Sequence, residues 1–418
     1  MGYTENLIDF IGKSTDCYHA VKTAKDRLDE NDFTELLEGD KWDVQSGGKY
    51  YVIRNSSSII AFEMPKKDFG AFMICASHTD SPSFKLKPDF EINADGCIKL
   101  SVEGYGGMIM SSWLDRPLSI SGRIVTAKNG KVETKLVNID RDLLVIPSLA
   151  IHMSRDINKG YEFNMRRDMC PIASDKNGRI EDIIAENVGV DKEEILGFDL
   201  SLYNRMRGTV LGADREYFSA PRIDDLQCMY STLEGFLNSE SDDNVTVFAA
   251  FDNEEVGSGT KQGAKSSFLR DVLERICNNS ETYKRAVAKS FMLSCDNAHA
   301  VHPNFADKSD GTNRVYMNGG IVIKYNANQR YTTDAVSEAV VKYVCKNAGV
   351  PYQMYANRSD IPGGSTLGNL SNEKVSLNTA DIGLAQLAMH SSYETAGSRD
   401  TEYMVKMIKE FYKTEIVL

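Results

Sequence analysis

The chain has 418 residues, of which 42% are hydrophobic and 26% charged, so it is long enough to bury a large core and to form more than one domain. Its net charge of -12 argues against nucleic acid or an anionic membrane surface as the main partner. No run approaches the roughly 18 apolar residues that span a bilayer, and the N-terminus lacks the features of a secretory signal. Eight cysteines without a CxxC pair indicate buried free thiols in a reducing compartment. We therefore expect a cytoplasmic protein with no membrane and no nucleic-acid partner.

Residues 1–86 have the pattern of an α/β domain. Asp16 can cap a helix in which apolar residues recur at spacings of four, three and four. Short apolar and β-branched runs predict strands at 49–54, 58–62 and 71–76. The last of these strands leads directly to His78 and Asp80, so an imidazole and a carboxylate follow an apolar strand.

The pattern changes between residues 87 and 219. Strand-like runs recur with glycine-containing turns between them, and helical periodicity is weak. Around residues 164–214 the pattern is irregular and polar. We predict that residues 87–219 form a β-rich domain inserted into a discontinuous α/β domain of residues 1–86 and 220–418.

The α/β pattern returns at residue 220. The uncharged run 245–251 predicts a buried strand, and it stops at a cluster of acids and glycines that includes Glu254 and Glu255. A second apolar run, 291–295, stops at Asp296. Such strand ends are where ligands and catalytic groups lie in α/β sheets.

Several groups of metal-ligand type thus follow apolar segments or precede a helix: His78, Asp224, Glu254, Glu255, Asp296 and His390. Singly, each has an ordinary explanation as a helix cap, a turn residue, a hydrogen-bonded histidine or a solvated acidic loop. Together, two histidines and at least three carboxylates fit a mixed nitrogen and oxygen site for Zn²⁺ or a similar ion. The donors exceed the three protein ligands of a usual catalytic zinc. They fit two ions with a bridging carboxylate and one further carboxylate for proton transfer.

The chain resembles the M18 metallopeptidase family, the aspartyl aminopeptidase group, over nearly its whole length. The resemblance is carried by these segments: Tyr18-His19-Ala20-Val21, Ser77-His78-Thr79-Asp80-Ser81-Pro82, Trp113-Leu114-Asp115-Arg116-Pro117-Leu118, Leu149-Ala150-Ile151-His152, Pro221-Arg222-Ile223-Asp224, 252–258, 296–304, 326–331 and Ala388-Met389-His390-Ser391. It implies a three-layer α/β/α zinc-aminopeptidase domain with the inserted β-rich domain. It also implies removal of N-terminal residues from peptides by a homo-oligomer, a tetrahedral dodecamer with interior active sites.

The same resemblance implies the metal ligands. His78 and Asp296 would bind one zinc ion, and Glu255 and His390 would bind the other. Asp224 would bridge the two ions, with Co²⁺ or Mn²⁺ as expected substitutes for Zn²⁺.

Catalytic and substrate-binding roles are implied as well. Glu254 would be the general base, and Asp80 would orient His78 through its second ring nitrogen. His152, in the inserted domain, would reach the active site of a neighbouring subunit. His302 and Lys324 would contact the substrate, and Lys324 would be the counter-charge for an acidic side chain.

The chain departs from the family pattern in three places, none of which removes a ligand. Asp225 stands where asparagine is common, Tyr393 precedes Glu394 where many relatives have arginine, and the loop at 363–366 differs. The last two border the expected substrate pocket, so a broad or neutral N-terminal preference is an alternative to an acidic one. Two further hypotheses are a non-catalytic assembly protein on the same fold and a hydrolase of another amide, such as an acylated amino acid.

Overall fold

The computed structural model describes residues 2–128, 130–239, 243–277, 279–361 and 363–416. The chain forms two units, and each has its own core. The first unit contains Met1–Asp80, Gly208–Met389 and Glu394–Leu418, and the second contains Ser81–Arg207 and His390–Tyr393. The second unit is therefore an insertion, apart from the four residues at 390–393.

The helices and strands of the described residues are numbered here along the chain. The helices are α1 (Tyr3–Lys13), α2 (Cys17–Asp29), α3 (Met165–Asp168), α4 (Ile180–Val188), α5 (Ile223–Leu237), α6 (Phe268–Ile276), α7 (Ser280–Lys289), α8 (Ala335–Ala348), α9 (Leu367–Ser371) and α10 (Asp400–Lys413). The strands are β1 (Thr34–Glu35), β2 (Lys49–Arg54), β3 (Ser58–Glu63), β4 (Phe72–His78), β5 (Ser83–Ala94), β6 (Cys97–Tyr105), β7 (Leu118–Lys128), β8 (Lys131–Asn138), β9 (Ile172–Asp175), β10 (Ile195–Asn204), β11 (Thr209–Leu211), β12 (Tyr217–Ala220), β13 (Val245–Phe251), β14 (Phe291–Cys295), β15 (Ala298–His299), β16 (Ile321–Tyr325), β17 (Tyr352–Ala356), β18 (Asn378–Gly383), β19 (Ala385–Leu387) and β20 (Glu394–Gly397).

The first unit is built on a nine-stranded sheet in the order β1-β2-β3-β13-β4-β14-β18-β16-β17. Its central strands β13, β4, β14 and β18 are parallel neighbours. Every residue of β4, β13 and β14 is buried. Such uninterrupted burial is expected where helices cover both faces of a parallel sheet, and it explains why these strands are continuous apolar runs.

Alternate side chains of β13 enter two different cores, one on each face of the sheet. Phe248 and Ala250 pack with residues of α1, α2, α5, α8 and α10. Val247 and Phe251 pack on the other face with residues of α6 and α7. The predicted three-layer α/β/α arrangement is thereby confirmed. A second, five-stranded sheet of this unit has the order β11-β12-β20-β19-β15.

The second unit is β-rich, as predicted for the insertion. Its six-stranded sheet has the order β8-β7-β10-β5-β6-β9, with antiparallel pairing throughout. Apolar side chains of the sheet, among them Phe84, pack with Trp113 and with residues of α4 in a separate core. The predicted irregular stretch at 164–214 contains α4 and the ten-residue strand β10.

Two further observations concern the whole described chain. None of its described helices combines the length and apolar character that crossing a bilayer requires. All eight cysteines lie in described residues, and each is a free thiol.

Candidate metal and catalytic site

The candidate site lies where the central parallel strands of the first unit end. In the pairing of β13 with β4, Phe251 is opposite His78, so both strands end at the same level. Asp296 directly follows β14, which lies on the other side of β4. Because parallel strands present their carboxyl ends at one edge of the sheet, His78, Glu254, Glu255 and Asp296 emerge there together.

A first group of donors combines strand ends with the start of α5. Donor atoms of His78, Asp224, Asp225 and Asp296 all lie within 4.8 Å of one another. His78 Nε2 is 3.4 Å from Asp224 Oδ1. The Asp224 main-chain N–H donates to Glu394 Oε2 at 3.0 Å, which helps to hold the start of α5. One imidazole and three carboxylates thus converge in the interior of this unit.

A second group contains His78, Glu254 and Glu255, whose donor atoms also lie within 4.8 Å of one another. The two glutamates begin a short 3-10 turn, Glu254–Val256, that ends at Gly257. Gly257 has a φ of 90°, a left-handed conformation that favours glycine. The sharp turn allows two neighbouring acids to approach the same imidazole.

Asp80 holds this turn through its carboxylate. The main-chain N–H of Glu254 donates to Asp80 Oδ1, and that of Glu255 donates to Asp80 Oδ2, both at 3.1 Å. The His78 ring contacts Asp80 differently. Nδ1 of His78 is 3.0 Å from the Asp80 main-chain carbonyl and 3.5 Å from Oδ1 of the same residue. Donation from Nδ1 to the carbonyl leaves Nε2 as the nitrogen suited to bind a metal.

Several carboxylates of the site lie close together in the protein interior, and this crowding changes the pKa values of its acids and of His78. Burial raises the pKa of Glu254 to about 8, and nearby carboxylates, including Asp296, contribute in the same direction. Burial also raises the pKa values of Asp225 and Asp296 above their ordinary range. Burial lowers the pKa of His78, but the neighbouring carboxylates, led by Asp225, raise it to well above its ordinary value.

The donor set fits divalent metal ions. Imidazole nitrogen and carboxylate oxygen are ordinary ligands of Zn²⁺ and of similar ions. Bound cations would stabilise the ionised form of carboxylates that are otherwise crowded and desolvated. The chemistry of these residues therefore agrees with a metal centre at this edge of the sheet.

Lys324, at the end of β16, lies beside one of these carboxylates. Its ammonium is buried, donates to the Asn297 carbonyl at 2.8 Å and is 3.4 Å from Asp296 Oδ2. Burial lowers the pKa of Lys324, but Asp296 and other neighbours raise it to above its ordinary value. Lys324 is therefore charged and engaged with Asp296.

Three further predicted site residues are histidines, one in the first unit and two in the second. His302, in the first unit, is half-buried, and its ring packs against Phe305 with centroids 5.0 Å apart. His152, in the second unit, is exposed within the 3-10 turn Ile151–Met153. His390 belongs to the short segment assigned to the second unit, where its Nδ1 is 2.8 Å from the Gly107 carbonyl.

The sequence pattern does not predict that Asp225 belongs to the site. In the sequence Asp225 is only a departure from the family pattern, whereas the structure groups its carboxylate with His78, Asp224 and Asp296. Its position directly after Asp224 was the one available signal. Sequence adjacency alone does not show that two consecutive side chains face the same group.

Comparison with known proteins decides the family. The model of the family described as aminopeptidase I zinc metalloprotease (M18) matches residues 10–412. The chain belongs to the M18 family. A probable M18 family aminopeptidase 2 of Clostridium acetobutylicum is 45% identical over 98% of each chain. One of Pseudomonas aeruginosa is 38% identical over 98% of this chain and 97% of the relative.

Solved M18 structures share the fold. Ape4, in a cryo-EM structure of its complex with Nbr1, superposes with a TM-score of 0.95 at 35% identity, over 98% of this chain and 85% of that one. The mApe1 dodecamer of S. cerevisiae gives a TM-score of 0.86 at 29% identity, over 98% of this chain and 96% of that one. The predicted family and enzyme class are confirmed: this M18 protein is a metallo-aminopeptidase, and the family is one of zinc enzymes.

Proposed function

We propose that this M18 protein is a dinuclear zinc enzyme that removes the N-terminal residue from peptides. The observation that carries the proposal is the convergence of acidic side chains around the imidazole of His78. The carboxylates concerned are those of Asp224, Asp225, Glu254, Glu255 and Asp296. A single catalytic zinc usually takes three protein ligands, so this set exceeds what one ion requires and supports two.

We propose a ligand assignment that this donor set and family membership support. His78 and Asp296 would hold one ion, Glu255 and His390 the other, and Asp224 would bridge them. His390 directly follows Met389, the last residue of that segment of the first unit. When bound, zinc would act as a Lewis acid that lowers the pKa of water and polarises the scissile carbonyl, and Co²⁺ or Mn²⁺ would be substitutes.

Glu254 is the proposed general base. Its carboxyl lies beside His78, and its main chain is held by Asp80. In this role it takes a proton from the attacking water and then gives it to the leaving amine. Burial raises its pKa, whereas bound cations would lower it, and the balance would allow Glu254 both to accept and to donate a proton near neutral pH.

The first test combines metal removal with a Glu254→Gln variant. Chelation is expected to abolish release of N-terminal residues from aminoacyl anilides and peptides, and adding zinc is expected to restore it. Glu254→Gln is expected to lower kcat by about 10²–10⁴-fold, the usual contribution of a general acid-base group, while mass spectrometry still finds two metal ions per subunit. A fully active Glu254→Gln enzyme would show that another group accepts the proton.

Substrate preference is a separate part of the proposal. His302 and Lys324 are the proposed substrate contacts, and the positive charge of Lys324 would favour an acidic N-terminal residue. The contact of Lys324 with Asp296 supports the alternative of a broad or neutral preference, because that ammonium already has an anionic partner. A panel of aminoacyl anilides separates the two, and N-acyl amino acids in the same panel test the hydrolysis of other amides.

We also propose a homo-oligomer, a tetrahedral dodecamer, in which His152 reaches the active site of a neighbouring subunit. The side chains around His152 support an assembly, since Leu149, Ile151 and Met153 are 52%, 47% and 77% exposed. An exposed apolar run of this kind is typical of an interaction surface. The related mApe1 of S. cerevisiae was solved as a dodecamer. A cytoplasmic location remains our prediction, and the eight free thiols support it.

A further inference from the structure

Asp225 is a buried carboxylate that faces the proposed metal ligands. Its side chain is fully buried, and its carboxylate lies within 4.8 Å of donor atoms of His78, Asp224 and Asp296. Oδ2 of Asp225 accepts a hydrogen bond from the His78 main-chain N–H at 3.1 Å. Oδ1 is also buried, and no N–H or O–H group of the described residues donates to it. Leaving a buried carboxylate oxygen unsatisfied is costly, so this arrangement indicates a cation as its partner.

We propose that Asp225 is a further residue of the metal site, where it adds an oxygen donor to the subsite formed by His78, Asp224 and Asp296. This additional donor shifts the metal preference of the subsite from Zn²⁺ toward Mn²⁺. The inference rests on the proposed metal centre. With Asp225 included, the subsite offers one imidazole and three carboxylates. Carboxylate and water oxygens suit Mn²⁺ in octahedral coordination, whereas Zn²⁺ favours four ligands with nitrogen or sulfur among them.

The charges around the subsite support a role for the additional carboxylate. The Lys324 ammonium is 3.4 Å from Asp296 Oδ2, so part of the negative charge of Asp296 is already balanced by the protein. A divalent cation held by Asp296 would therefore be favoured by a further carboxylate in the same donor group. Asp225 supplies that anion from α5, and its orientation is maintained by the His78 main chain.

The test is the Asp225→Asn variant. Asparagine keeps the size of the side chain and an acceptor for the His78 N–H, but it removes the charge and the second oxygen donor. Affinity for Mn²⁺ is expected to fall by about 10–100-fold, the usual cost of losing a residue that supports a metal site, and affinity for Zn²⁺ is expected to fall less. Both affinities are measured by competition with a chromogenic chelator, independently of peptidase activity.

A matched control is Asp400→Asn, which also changes a buried carboxylate that accepts main-chain hydrogen bonds but belongs to none of the donor groups formed by the described residues. It is expected to leave both affinities unchanged. Unchanged affinities in Asp225→Asn, or equal losses for both ions, would overturn the inference. A wild-type protein that binds no divalent ion would instead overturn the proposed function and the inference with it.

A second measurement needs no variant and covers the case in which Asp225→Asn does not fold. Co²⁺ added to the wild-type protein at one equivalent is expected to give the weak visible absorption of a five- or six-coordinate ion. The intense absorption of a tetrahedral ion would contradict the proposal that Asp225 adds an oxygen donor to the subsite that fills first.

Discussion

At the scale of single residues, one carboxylate organises both glutamates of the site. Asp80 accepts the main-chain N–H groups of Glu254 and Glu255, one with each oxygen. The His78 ring lies 3.0 Å from the main-chain carbonyl of Asp80, a contact that no substitution of the side chain removes. The carboxylate of Asp80 therefore positions Glu254, the proposed general base, and Glu255 more than it positions the imidazole.

Asp80→Ala is accordingly expected to lower kcat by about 10–100-fold, because residues that orient a catalytic group contribute on this scale. Asp80→Asn is expected to fall between the wild type and Asp80→Ala, since its amide oxygen can accept only one of the two hydrogen bonds. Steady-state kinetics and metal content are measured together. Asp334→Ala is the control, because Asp334 likewise accepts two main-chain N–H groups, at the start of α8. Wild-type kcat in Asp80→Ala would contradict the positioning role.

At the scale of elements, a buried carboxylate connects the helix α10 to the segment before β16 through hydrogen bonds. Asp400, the first residue of α10, accepts the main-chain N–H groups of Asn318 at 2.6 Å and Gly320 at 2.9 Å, just before β16. Burial raises the pKa of Asp400 from 3.8 to about 7, and the two hydrogen bonds only partly oppose this effect. The folded protein thus binds a proton at Asp400 more tightly than the unfolded chain does.

This difference predicts that the contribution of Asp400 to the free energy of unfolding falls by about 1.4 kcal/mol per pH unit as the pH rises from about 4 to about 7. Above about pH 7 the contribution no longer changes with pH. Thermal unfolding of the wild type and Asp400→Asn is compared between pH 5 and 8 at a fixed protein concentration. The melting temperature of the wild type is expected to decline relative to the variant until about pH 7. Parallel curves would indicate that Asp400 does not titrate in this range.

At the scale of the whole molecule, the chain combines an α/β unit, which contains the candidate metal site around His78, with a β-rich insertion that carries an exposed apolar segment around His152. Burial of Leu149, Ile151 and Met153 against another copy would remove apolar surface from water and stabilise an oligomer. The proposal that His152 acts in a neighbouring subunit then makes a quantitative prediction about mixed assemblies.

His152→Ala and Glu254→Gln preparations, each nearly inactive, are expected to regain activity when they are co-assembled at equal amounts. Activity should reach about a quarter of the wild-type value, because each complete site draws Glu254 and His152 from two randomly assorted subunits. The control replaces Glu254→Gln with a variant that carries both substitutions, and it should give no gain. No recovery in the first mixture would count against action in a neighbouring subunit.

Local patterns in the sequence were enough to predict the buried strands and the acidic or histidine side chains that follow them. Uncharged apolar runs such as 245–251 predict strands covered on both faces, and the acids after them can be read directly. The change of pattern at residues 87–219 predicted the insertion, and the family resemblance added the individual roles of the candidate ligands. These predictions depend on residues that are close to one another in the sequence, so they can be made from a single sequence.

Which side chains meet became visible only in the folded chain. The pairing of Lys324 with Asp296, the grouping of Asp225 with His78, and the use of the Asp80 carboxylate for the Glu254 turn all join residues from different elements. The helix α4 and the strand β10 were also missed, because a half-buried strand and a short helix on a small core carry weak periodicity. Contacts between distant residues depend on strand order and register, which hydrophobic patterns in a single sequence do not specify.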